Sequence, residues 1–124
     1  MAYEQIKSFY PKEMGKEKGW CLKNCRRGYR IYTGHYASAK SAMQAGKKNG
    51  TYHEGMPPSN IAVPVYVATA SPNGHVVVYD KGTWWSDGKK YGSMSGVYGW
   101  DEMMDAVRVV QLQSGSGFLP AKGY

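Results

Sequence analysis

A chain of 124 residues has room for one domain, built from one sheet and two or three helices, and 42% apolar residues suffice for a core. No apolar stretch approaches the roughly 20 residues that a membrane-spanning helix needs, and two cysteines, Cys21 and Cys25, do not make a secreted disulfide scaffold. Sixteen Lys and Arg against nine Asp and Glu give a net charge of +7, which favours polyanionic partners such as nucleic acid, anionic cell wall or a membrane surface.

Residues 1–18 are polar and rich in Lys and Glu, with Pro11 and Gly15, and read as an arm leading into the first helix. From Trp20 to about Tyr29 the positions Trp20, Cys21, Cys25, Gly28 and Tyr29 have roughly helical spacing, with Lys23, Arg26 and Arg27 between them. A second helix is predicted from about Ala37 to Lys48, with Ser38 as cap and Gly50 as stop. Thr51 to Ser59 reads as loop. Ile61 to Thr69 reads as a strand, and Pro64 within it points to an edge or a bulge.

Ser71-Pro72-Asn73-Gly74 is a turn signal. His75 opens the clearest strand, Val76 to Tyr79. Asp80-Lys81-Gly82 suits a type I turn with Gly82 in a bulge position, and Thr83 to Ser86 returns as the partner strand. Lys89 to Gly99 is expected to be a long loop, Trp100 to Ala106 a short helix starting near Asp101, and Val107 to Leu112 a closing strand. The organisation expected is thus an arm (1–18), one domain (19–113) and a partly ordered tail (114–124).

Cys21 heads the first helix and His75 heads a strand, which brings into question a thiol nucleophile with an imidazole base. A helix N-terminus and a nearby imidazole are the common ways of stabilising a thiolate. Cys before His, helix before strand, is the chain order of papain-type cysteine hydrolases. Cys21 would attack a carbonyl carbon, its own N–H would donate to the oxyanion, and His75 would hold the thiolate and later protonate the leaving amine. Such a site predicts alkylation of Cys21 faster than of Cys25, with a thiolate pKa below the free value of about 8.5.

Pairing Tyr79 with Thr83 would place Asp87 opposite His75 as the third, orienting group. A one-residue slip would bring Ser86 there instead. Cys25, one turn beyond Cys21, reads as a small buried hydrophobe. His35 and His53 complete the imidazoles, and their spacing with the cysteines fits no zinc pattern, so neither a metal site nor a cofactor is expected. No phosphate-cradling glycine motif is present.

Gly19-Trp20-Cys21-Leu22-Lys23-Asn24, the Ala-rich helix, Val63-Pro64-Val65-Tyr66, Gly74-His75-Val76-Val77-Val78 and Gly99-Trp100-Asp101 together resemble small phage lysin domains. Those belong to the CHAP and NlpC-like superfamily of cysteine amidases and peptidases. The resemblance runs over about residues 19 to 110, with W-C-L-K and G-H-V its most specific parts. It implies a papain-like α+β fold in which an N-terminal helix bearing the Cys packs on an antiparallel β-sheet bearing the His. It implies cleavage of amide bonds in bacterial peptidoglycan, with Cys21 as nucleophile and His75 as base. The third polar residue then falls on the following strand, at Asp87 or Ser86, a role that relatives fill with Glu, Asn or another His.

Trp20, Trp84, Trp85, Tyr91 and Trp100 are candidates for flanking a substrate groove, with the alternative that Trp84 and Trp85 alternate faces of their strand and at least one packs inward. Many lysins carry a separate wall-binding domain; here the basic surface, or a partner, would do the targeting. No charged-then-apolar leader opens the sequence, so the resemblance implies a protein made in the host cytoplasm that reaches the wall by phage-mediated delivery or as a virion component. The competing readings are a non-catalytic wall-binding or structural phage module retaining the fold, a basic nucleic-acid-binding domain, and other cysteine hydrolases such as toxin-like deamidases or transglutaminase relatives. Scattered basic residues and the lack of any nucleic-acid-binding signature argue against the second of these.

Overall fold

Unbroken apolar sequence from Ile61 to Val67 makes a strand that is buried on both faces, and the fold is organised around it. The computed structural model describes residues 2–34, 36–69, 71–94, 96–102, 107–113 and 117–120. In chain order it runs β1 (Ala2–Gln5), a turn of 3₁₀ helix (Pro11–Glu13), α1 (Cys21–Gly28), α2 (Ala39–Asn49), β2 (Tyr52–Glu54), β3 (Ala62–Val67), β4 (His75–Asp80), β5 (Thr83–Ser86), β6 (Lys89–Tyr91), β7 (Val97–Asp101), β8 (Val107–Gln113) and β9 (Gly117–Pro120). Six strands form an antiparallel sheet in the order β2-β7-β3-β4-β5-β6, and β1-β8-β9 form a second, three-stranded sheet.

The architecture is α+β: two helices pack on the six-stranded antiparallel sheet. Period-two alternation sorts the strand residues between its faces. Ala62, Tyr66, Val76 and Val78 meet Met14, Leu22, Cys25, Tyr29, Ala39 and Ala42 on the helical side. On the other side Val63, Val65, Val67 and Val77 pack with Ile61, Trp84, Trp100 and Val107. Cys25 is fully buried on α1 against β4, the strand that His75 opens.

Several local expectations change. β3 lies in the middle of the sheet rather than at an edge; its pairing with β7 starts only at Val65, so Pro64 is paired on the β4 side alone, as a residue of an edge strand would be. A register shift between Tyr66 and Val67 supplies a bulge. The expected loop after α2 contains β2, and the expected loop from Lys89 to Gly99 contains β6 and the start of β7. Trp100 and Asp101 finish β7 instead of starting a helix, because opposite faces of the sheet take them: Trp100 enters the far core, and Asp101 accepts from the Tyr66 hydroxyl at 3.1 Å. Residues 103–106 lie outside the described set.

The arm is docked, not free. Tyr10 N donates to Gly28 O at 2.7 Å, the rings of Phe9 and Tyr29 lie 5.1 Å apart, and β1 pairs with β8. Gly117–Pro120, in the expected tail, pairs with β8.

The β4–β5 hairpin also turns more tightly than expected. Asp80 pairs with Thr83 across a two-residue loop in which Lys81 (φ 49°) and Gly82 (φ 96°) are both left-handed, the geometry that matches strand twist. This moves the register by one residue, so Tyr79 faces Trp84.

Candidate active site

Cys21 is the first residue of α1, with Trp20 at the N-cap position. Burial pushes its thiol above the ordinary value. The backbone N–H groups of Val76, Leu22 and Cys21 act in the opposite sense, and the charge of Asp87 adds to the rise. The expected depressed thiolate pKa is therefore not what this environment gives: half-burial against β4 outweighs the helix-start amides. Cys25 is pushed far higher by complete burial, which disfavours its thiolate in the native state.

His75 Nε2 lies 2.9 Å from Ser86 Oγ. Continuing the observed register, Val78 with Trp85 and Tyr79 with Trp84, places Ser86 across from Val77, on the face that His75 shares. Ser86 is only 6% exposed. Asp87 falls on the opposite face, in the β5–β6 turn, where both it (φ 49°) and Gly88 (φ 80°) are left-handed. There its Oδ1 accepts from Asn24 Nδ2 at 2.9 Å. Asp87 thus sits beside the thiol, not in hydrogen-bonding partnership with the imidazole.

Asn24 is the residue that sequence reasoning missed. It is fully buried, three positions after Cys21, and also donates to Glu17 O (2.8 Å) while its Oδ1 accepts from Glu17 N (3.3 Å). A polar side chain between Leu22 and Cys25 on the inward face of a helix was the available signal, and Asp87-Gly88 was an unread hairpin signal.

A cleft of about 430 Å³ opens between the head of α1, the segment Tyr36–Ala39 and the turn before β4. Cys21, His75 and Asp87 all line it, together with Trp20, Lys23 and Arg26. The turn is pinned to α2 by a bond from Lys40 N to Asn73 O (2.8 Å), and Gly74 (φ 73°) permits that approach: a Cβ there would lie 3.2 Å from Lys40 N. Of the candidate groove aromatics, Trp20 lines the cleft and is 55% exposed. Trp84 and Trp100, at 6% and 2%, are core residues, Trp85 packs against the helical-side cluster, and Tyr91 is exposed on β6. Large aromatic area facing a sheet interior is worth more buried than lining a groove.

His53 does not line the cleft: its Nε2 is 2.7 Å from Glu102 Oε2 and its ring stacks on Trp100 with centroids 4.2 Å apart. His35 lies outside the described residues. Among the described residues no group of three or more His, Cys, Asp and Glu is placed to hold a metal ion, and no helix is long and apolar enough to cross a membrane. Comparison with protein-family models, with curated proteins and with solved structures found no match for this chain.

Proposed function

We propose that this chain is a cysteine-dependent amide hydrolase of papain-like, CHAP or NlpC type that cleaves bacterial peptidoglycan as an endopeptidase or amidase. Its setting is that of a phage endolysin or a virion-associated lysin, made in the host cytoplasm and delivered to the wall. What supports this reading is the joint placement of Cys21, at the head of α1, and His75, at the head of β4, in one cleft, with His75 Nε2 held 2.9 Å from Ser86 Oγ.

With Nε2 turned to Ser86, Nδ1 is the nitrogen left for the thiol. Strand alternation starts His75 on the face it shares with Ser86, opposite the helical side that carries Cys21, so the imidazole has to swing round the head of β4 to reach it. Because burial favours the protonated thiol, attack on the carbonyl carbon is coupled to transfer of the thiol proton to Nδ1. The oxyanion of the tetrahedral intermediate forms at the head of α1, where backbone N–H groups point outward. Collapse breaks the C–N bond, the amine leaves with the proton from His75, and water, deprotonated by the same imidazole, hydrolyses the thioester. Ser86 orients the imidazole as a positioning residue, and Asp87, held by Asn24, is not the triad's third member.

One observation favours the second reading, a non-catalytic wall-binding or structural module: the rise of the Cys21 thiol. Incubation with peptidoglycan and mass spectrometry of the soluble products separates the two. Fragments that persist with Cys25→Ala and vanish with Cys21→Ala are expected, with His75→Ala lowering the rate by roughly a hundredfold to ten-thousandfold. Ser86→Ala should give a smaller loss, in kcat rather than KM. Wall retention without fragments, from folded wild-type protein on several wall chemotypes, supports the binding module.

A further inference from the structure

A second cavity, of about 210 Å³, adjoins the cleft, and both include Ala39, Thr69, Ser71, Gly74 and His75 in their walls. Cys21 lines the cleft alone. Met43, Tyr66, Val67, Pro72 and Tyr98 make the rest of the second cavity largely apolar, with Lys40 its charged wall residue and no carboxylate among the described residues lining it. The Tyr66 hydroxyl is committed to Asp101, so its ring is what it offers. Methionine and tyrosine together form an adaptable apolar wall.

Amide hydrolysis gives these two spaces different jobs. The nucleophile must sit at the acyl carbon and the proton donor at the departing nitrogen. Chain on the acyl side therefore stays in the cleft with Cys21, and chain on the amine side runs past His75 into the space that His75 lines and Cys21 does not. We infer that the second cavity is the subsite for the residue that supplies the leaving amine, and that it takes an uncharged aliphatic side chain. The inference rests on the hydrolase reading for its orientation. Lys40 disfavours a cationic side chain there, and the apolar wall gives no partner to an anionic one except at that rim.

The test uses peptides acetyl-Ala-Ala-Xaa-Ala-amide with Xaa as Ala, Leu, Lys or Glu. Affinity is measured by calorimetry on Cys21→Ala protein, and kcat/KM for cleavage before Xaa on wild type, with peptidoglycan digested alongside and its new amino termini identified. Ala and Leu should be preferred over Lys by roughly tenfold or more, and the new termini should be aliphatic. Met43→Glu, and independently the variant Tyr98→Glu at a 52% exposed position, should erase that preference by giving a cationic side chain a carboxylate partner. Tyr98→Glu should leave thermal unfolding and Cys21 alkylation at wild-type values, because Met43, unlike Tyr98, also packs on the helical-side core. Equal affinities and rates across the series, or charged new termini, with cleavage intact would overturn the subsite and leave the hydrolase standing. Discriminating affinity without cleavage of peptide or wall would overturn the hydrolase reading and with it the assignment to the amine side. Neither affinity nor cleavage would overturn both.

Discussion

Two thiols one helical turn apart differ in chemistry because of what surrounds them, not because of their own identity. Burial raises both, but Cys21 keeps an exposed side in the cleft and three backbone N–H groups that favour its thiolate. Cys25 is wholly enclosed, and burial dominates over the one nearby charge that favours its thiolate, Arg26. Alkylation rate follows the thiolate fraction, so iodoacetamide should modify Cys21 slowly at neutral pH and progressively faster as pH rises toward its elevated pKa. Cys25 should resist until the protein unfolds. Asp87 raises the Cys21 pKa, and Asp87→Asn deletes that charge while the amide oxygen of the substituted side chain can still accept from Asn24. The variant should therefore be alkylated severalfold faster than wild type at pH 8, with its pH profile displaced to lower pH. An unchanged profile would mean that Asp87 does not act on the thiol through its charge.

Where α2 crosses β7, a carboxylate is carried into the helical-side core. Asp101 lies so close to the helix that a Cβ on Gly46 would stand 3.0 Å from both of its oxygens, which accounts for a glycine in a helix interior. Burial raises the Asp101 pKa, and hydrogen bonds from Thr51, Tyr66 and the Glu102 N–H offset this only in part. A carboxyl whose folded pKa exceeds its unfolded value of about 3.9 contributes stability that is complete below that value and is lost as pH rises through the folded pKa. Asp101→Asn does not titrate, so its melting temperature relative to wild type should increase from pH 4 to pH 7; a constant difference across that range would contradict the linkage. Elements of this kind also mark the limits of sequence reading. The helix beginning at Cys21 and the strand beginning at His75 were legible from spacing and alternation, because local pattern decides them. β2, β6 and β7 were not, since three to five residues without clean alternation become strands only through their neighbours, and β1 finds its partner a hundred positions away in β8. The choice between Ser86 and Asp87 hung on one residue of register, set by a lysine at positive φ in the β4–β5 turn, which residue preference does not announce.

At the scale of the molecule, the sheet has a covered core on each face and the charge is left to the surface. Glu13 and Glu17 are bridged by Arg30, Arg27 and Lys23, at exposed or half-exposed positions where such pairs are weak and screened. They leave the net +7 in place. A field of that sign raises the local concentration of the protein at a polyanionic wall, and it decays over about 10 Å at 0.1 M salt and about 3 Å at 1 M. Chemistry inside the cleft depends on contacts shorter than either length. If the chain is the proposed peptidoglycan hydrolase, salt should therefore act on encounter and not on bond cleavage. Raising the salt from about 0.05 M to about 0.5 M should release the protein from sedimented peptidoglycan and raise KM on the wall, while kcat/KM on a small uncharged peptide stays nearly constant. If salt lowered both alike, the charge would be acting within the cleft, where Lys23 and Arg26 line the wall beside Cys21, and the surface field would not be what draws the protein to a polyanionic surface.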